Sequence, residues 1–185
     1  MRLDAGWLDC AEQCVSPNCD ERPADTAISL LVLHNISLPP GQYGGSAVAE
    51  FFTNRLDCDS HPQFASLRGV RVSAHLLLRR NGSWIQFVPF GLRAWHAGVS
   101  CWQGAERCND YSIGIELEGT DSDPYCEVQY GSLLRVIRLL ARAYPITDVV
   151  GHCDIAPGRK TDPGAAFDWR RIDGWKSISD QPAVR

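Results

Sequence analysis

An α/β domain with a mixed central β-sheet flanked by helices is predicted by three features of this chain. These are a short continuous apolar run at residues 27–33 (AISLLVL), a strand pair around Asn81 and Gly82, and one long amphipathic segment at residues 127–144. The 185 residues suit a single domain. A chain of this length buries roughly 70% of its unfolded surface, so one core can hold it without covalent staples.

Residues 1–25 carry Ser16, Pro17, Asn18, Asp20 and Pro23 and no clear period. They are expected to form an irregular N-terminal segment packed on a domain spanning residues 26–185. The run at 27–33 has the pattern of a strand covered on both faces. It ends at His34 and Asn35, before Pro39, Pro40 and Gly41 break the chain. Residues 46–52 suit a short helix. Residues 72–78 (VSAHLLL) and 84–88 (WIQFV) flank Asn81-Gly82, the strongest short hairpin signal. Residues 91–111 read as a long loop, and loops of that length in a compact domain are usually functional. Residues 112–117 (SIGIEL) alternate as a strand does. In residues 127–144, Val128, Leu133, Leu134, Ile137, Leu140, Ala141 and Tyr144 recur at helical spacing, and Pro145 stops the helix. Residues 148–151 suit a last strand ending at His152, and residues 167–175 a short last helix.

The formal net charge of -4 argues against a nucleic-acid surface, which needs clustered Lys and Arg. No apolar run approaches the ~18 residues of a membrane span. The start, MRLDAGWLDCAEQC, shows no apolar export segment, so a cytoplasmic protein is expected. There the eight cysteines stay reduced rather than pairing as disulfides. Cys10, Cys14 and Cys19 lack the CxxC spacing of a zinc ribbon.

His34 and His152 each follow a strand, and Asp162 sits ten residues beyond His152. Sites in α/β sheets gather at the carboxyl ends of strands. Two imidazoles and a carboxylate form a plausible catalytic metal site, although a histidine more often packs or hydrogen-bonds. Glu116 and Glu118 share one parity of their strand, which on its own favours two solvent-facing side chains over a general base in a cleft. Lys160 is either solvated or poised to stabilise an oxyanion. His75 reads as a core histidine, and His96 in RAWHAG either lines a cleft or caps its loop.

Five stretches carry a resemblance: LLVLHNISLPPGQYGG, RVSAHLLLRRNGSWIQFVPF, RAWHAGVS, ERCNDYSIGIELEGTD and GHCDIAPGRKTDPG. In order and content they resemble the AmpD-type amidases, within the group that includes peptidoglycan recognition proteins and phage amidase lysozymes. The resemblance implies a peptidoglycan-recognition-protein-like amidase fold. It also implies Zn2+ held by His34, His152 and Asp162, with Glu116 as catalytic base and Lys160 stabilising the transition state. The activity implied is hydrolysis of the amide between N-acetylmuramic acid and L-alanine in small 1,6-anhydromuropeptides. The setting implied is cytosolic peptidoglycan recycling, with an influence on β-lactamase induction. A monomer is expected.

Substrate contacts are expected from Asn35, Arg71, Trp95 and Arg107. Each arginine either clamps a peptide carboxylate or makes a surface pair worth about 0–1 kcal/mol. Trp95 either stacks on the sugar or packs in its loop. Two other classes compete: a binding module that does not cut, and a thiol protein prompted by the cysteines. Binding-only relatives typically lack a zinc ligand, so the complete set of His34, His152 and Asp162 favours an enzyme.

Overall fold

The computed structural model describes residues 1–176, so residues 177–185 of the expected domain lie outside it. In chain order the strands are β1 (Leu3–Asp4), β2 (Trp7–Leu8), β3 (Ala11–Gln13), β4 (Cys19–Glu21), β5 (Leu30–Ile36), β6 (Leu76–Leu78) and β7 (Trp84–Gln86). They continue with β8 (Leu92–Ala94), β9 (Cys101–Trp102), β10 (Ala105–Glu106), β11 (Ser112–Glu118) and β12 (Asp148–Gly151). The α-helices are α1 (Ala47–Phe52), α2 (Glu127–Ala143) and α3 (His152–Ile155).

Six strands form the central sheet in the order β12-β5-β11-β6-β7-β3. β12, β5, β11 and β6 run parallel, β6 and β7 form the antiparallel hairpin, and β3 joins parallel to β7. The sheet is therefore mixed, as expected. The apolar run at 27–33 enters β5, an interior strand in which Leu30, Leu31, Val32 and Leu33 are all buried. An interior strand needs apolar side chains on both faces, and this explains the absence of alternation.

Helix α2 covers one face. Its Leu133, Val136, Ile137 and Leu140 pack with Leu31, Leu33, Ile113, Ile115 and Leu117 of the two central strands. Each fully buried aliphatic side chain of this kind contributes about 1.5–3 kcal/mol. At the start of α2 the Gln129 side chain accepts from the Cys126 N–H (3.0 Å), satisfying one otherwise unpaired donor. At its end Tyr144 leaves helical geometry ahead of Pro145. Val128 stands outside the stripe: it is 46% exposed and rests against Gly82 of the hairpin turn. A Cβ at Gly82 would come within 2.7 Å of that valine, so only glycine fits the turn there.

Alternation along the same strands sends Leu30, Val32 and His34 of β5, with Gly114 and Glu116 of β11, to the opposite face. There α1 places Val48, Phe51 and Phe52 against Leu77, Ile85 and Phe87.

Several expectations need correction. Residues 91–111, expected to be a long loop, carry the short strands β8, β9 and β10. Residues 1–25 contain four short strands, one of which extends the sheet. Their side chains bind the domain closely: Arg22 donates to the carbonyls of Phe90, Asn109, Asp110 and Ser112. Residues 167–175 form two 3-10 turns, Trp169–Arg171 and Asp173–Lys176, rather than an α-helix. The glutamates of β11 do not face solvent. Glu116 is 9% exposed and Glu118 3%. Glu118 is buried because its carboxylate accepts from the Gly44 and Arg80 N–H groups (both 2.9 Å) and so ties two loops together. The eight cysteines are all free thiols.

Candidate metal centre and active site

Three chain segments converge at the carboxyl ends of the parallel strands. β5 delivers His34, the turn from β12 into α3 delivers His152, and the following loop delivers Asp162. The loop is fixed from both sides. The Cys153 N–H donates to the Asp162 carbonyl (3.0 Å), and the Tyr125 hydroxyl donates to the Pro163 carbonyl (2.8 Å). Gly164 follows in left-handed geometry with φ +85°, where a Cβ would stand 2.1 Å from Asp121 Cα. No other residue fits that position without moving one of the two loops.

The donor atoms form a compact triangle. His34 Nδ1, His152 Nδ1 and Asp162 Oδ2 are mutually 3.0 Å apart. A tetrahedral ion about 2.0–2.1 Å from each donor separates such atoms by about 3.3 Å, so this triangle is close to the size required. The chemistry of the donors agrees. Burial, opposed by the Asp162 carboxylate, pushes the His34 pKa down to about 4, which leaves a neutral imidazole. Burial alone would raise Asp162, but hydrogen bonds with His152 and His34 outweigh it and hold the group ionised below the usual carboxylate range. The neutral His34 imidazole, the ionised Asp162 carboxylate and His152 Nδ1 all aim donor atoms at one point, an arrangement that a cation between them would relieve. The residues present therefore fit a metal ion.

Beside the triangle opens a cleft of about 800 Å³. Glu116 and Lys160 line it with the three donors. Glu116 Oε2 is buried without a hydrogen-bond partner. Burial, and then the Asp162 charge, raise the Glu116 pKa well above the ordinary value, against the pull of Lys160. A buried carboxyl group shifted upward in this way holds a proton more readily than an ordinary carboxylate, which suits a group that must accept a proton and hand it on.

Asn35 and Trp95 also line the cleft, and Asn35 Nδ2 donates to Asp121 (2.8 Å). Arg71 and Arg107 do not line it. Arg71 borders a separate hollow of about 100 Å³ with Phe51 and Leu67. Arg107 is 70% exposed, pairs with Asp110 at 3.0 Å, and borders a groove beside Val99. Arg159, which no sequence pattern singles out, lines the cleft and donates to the carbonyls of Ala97 (2.9 Å) and Val99 (2.6 Å). Its place in a turn-rich loop gives no periodic signal.

Comparison with known proteins settles the family. The family described as N-acetylmuramoyl-L-alanine amidase matches residues 24–165. The chain belongs to the N-acetylmuramoyl-L-alanine amidase family. This amidase is 56% identical over 174 residues to 1,6-anhydro-N-acetylmuramyl-L-alanine amidase AmpD of Escherichia coli (strain K12), covering 93% of this chain and 95% of the relative. A crystal structure of a selenomethionine AmpD derivative matches the amidase with a TM-score of 0.92 at 55% identity, over 95% of this chain and 99% of that one. A complex of AmiD from E. coli with the substrate anhydro-N-acetylmuramic acid-L-Ala-D-gamma-Glu-L-Lys matches with a TM-score of 0.59 at 32% identity, over 86% of this chain and 66% of that one. The resemblance carried by the sequence motifs is borne out, as is the amidase fold it implies. The amidase is thus an amide hydrolase, which removes the competing binding-module and thiol-protein classes. Among its described residues no helix is long and apolar enough to cross a membrane.

Proposed function

We propose that this amidase is a zinc enzyme of cytosolic peptidoglycan recycling, acting as a monomer. Its substrate is a 1,6-anhydromuropeptide, and the bond cut is the amide between the lactyl group of the sugar and L-alanine. The single observation that supports this best is the donor triangle of His34, His152 and Asp162 beside the unpartnered, buried Oε2 of Glu116. The substrate class follows from the activity of the AmpD relative and the ligand in the AmiD complex. Among the described residues, the catalytic domain begins at residue 26, and residues 1–25 are a segment packed on it.

His34 Nδ1, His152 Nδ1 and Asp162 Oδ2 would hold the ion. Zinc bound there supplies Lewis-acid activation of water and of the amide carbonyl. Glu116 accepts the proton of the attacking water and returns it to the departing alanine nitrogen, which must leave as a neutral amine. Lys160 offers its ammonium to the carbonyl oxygen as negative charge develops there. Asn35 and Trp95 position the substrate within the cleft. Arg71 and Arg107 reach only groups that extend beyond it, such as the carboxylates of the stem peptide.

Incubation with a 1,6-anhydromuropeptide, with and without a chelator, followed by mass spectrometry tests the reading. The expected products are 1,6-anhydro-N-acetylmuramic acid and a peptide with a free N-terminal alanine. Chelation should stop the reaction and added zinc restore it. Cleavage at any other bond, or undiminished turnover without metal, contradicts the proposal.

A further inference from the structure

We propose that His96 is a positioning residue of the metal centre, fixing the orientation and tautomer of His34; this rests on the zinc reading above. His34 turns Nδ1 toward the donor triangle, so its other ring nitrogen must carry the proton. That Nε2 lies 3.0 Å from His96 Nδ1. His96 Nδ1 must therefore accept, which places the proton of His96 on Nε2, 3.1 Å from the Ser112 hydroxyl. The proton order runs one way: His34 Nε2–H to His96 Nδ1, then His96 Nε2–H to Ser112 Oγ. A ligand imidazole whose outer N–H is held in this way keeps its orientation and gains basicity.

The ring of His96 has little freedom to do anything else. A Cβ on Gly114 would stand 2.4 Å from His96 Cγ and 2.6 Å from its Nδ1, so the glycine of β11 makes the space the ring occupies. Its backbone is pinned as well. Asn109 Oδ1 accepts from the N–H of His96 (3.1 Å) and from that of Ala97 (2.8 Å). The Ala97 carbonyl in turn accepts from His152 Nε2 (3.1 Å). Two consecutive residues of one loop thus orient both imidazoles of the triangle, His96 through its side chain and Ala97 through its backbone.

The test is made on full-length protein stripped of metal and reloaded. Zinc affinity is read by chelator competition, and the geometry of the site by the visible absorption bands of the cobalt-substituted form. His96→Leu removes the acceptor and should weaken zinc binding about 10–100-fold, with shifted cobalt bands. His96→Asn places a carbonyl oxygen near the former Nδ1 and should recover most of the affinity. Ser112→Ala keeps the ring but frees its outer end and should give a smaller loss of the same sign. Circular dichroism and thermal unfolding of the metal-free proteins show which variants fold. Folded His96→Leu with wild-type affinity and wild-type cobalt bands would overturn the inference. If His96→Leu fails to fold, Ser112→Ala decides, and unchanged affinity and bands in that variant would overturn it. Failure of the wild-type protein to take up either ion would overturn the zinc reading itself and this inference with it.

Discussion

Glu116 stands directly beside His34, as its register partner in the parallel pairing of β11 with β5. Partners in a parallel ladder sit about 4.8 Å apart and send their side chains to the same face. The carboxylate is therefore held next to the donor triangle by backbone hydrogen bonds on both sides, with no loop involved. It is not itself one of the converging donors. Glu116→Gln should lower kcat by about 10²–10⁴-fold while zinc stays bound. Turnover and metal content measured on one preparation check this. Loss of zinc from the variant would move Glu116 from proton transfer to metal holding.

Lys160 is exposed and lines the same cleft, two residues ahead of Asp162. Its charge should matter when the carbonyl oxygen becomes negative and little before that. Lys160→Ala is expected to raise the barrier by about 2.7–4 kcal/mol, the usual cost of losing one oxyanion donor. The loss should fall on kcat and leave KM nearly unchanged. A variant altered mainly in KM would make Lys160 a substrate-binding group instead.

Metal removal should have a structural signature as well as a catalytic one. An ion held by the triangle would join β5, the start of α3 and the Asp162 loop, three segments brought together only in the folded chain. A ligand present at 100 times its Kd stabilises the folded state by about 2.7 kcal/mol. Chelation should therefore lower Tm, and zinc should restore it. His152→Ala should abolish the zinc-dependent rise in Tm together with activity. An unchanged Tm on chelation would mean that the triangle binds no ion in the folded protein.

How much of this was legible in the sequence depended on the period of each element. The α2 stripe and the apolar run entering β5 are long enough for burial to dictate the pattern, so the sequence shows both elements, although Val128 leaves the stripe and β5 continues through His34 to Ile36. β3, with sequence AEQ, is three residues long at the sheet edge, where no period can register. β11 was read as a strand, yet parity sent Glu116 and Glu118 to solvent. Parity gives the face on which a side chain lies and says nothing about what covers that face. Here the cleft and two loop N–H groups cover it. The converging histidines and aspartate became recognisable through motifs, since residues 128 positions apart carry no local trace of contact. The places of Arg71 and Arg107 depend on loop paths, which composition does not encode.

His75 gives a prediction about stability that is separate from catalysis. Its ring is fully buried. The Gly114 N–H donates to its Nδ1 (3.0 Å), so Nε2 carries the proton and donates to the Leu92 carbonyl (3.1 Å). The Arg22 guanidinium lies 3.1 Å from that Nε2, and the His96 ring packs against it with centroids 5.7 Å apart. Burial first, and the Arg22 charge second, push the pKa of His75 down to about 3. An unfolded histidine titrates near about 6.5. Above that pH both states are neutral, and His75 adds no pH dependence. As pH falls below it, the unfolded chain takes up a proton that the folded chain refuses until about pH 3. Stability must then decline, by at most about 1.4 kcal/mol per pH unit for this one group. His75→Asn keeps an acceptor near Nδ1 for the Gly114 N–H and cannot be protonated in this range. The variant should be less stable at neutral pH but lose less on acidification, so the two urea midpoints should converge between about pH 6 and pH 4. The comparison is made on metal-free protein, where proton uptake by the other histidines is common to both chains. Parallel midpoint curves would show that the folded protein accommodates a charged His75.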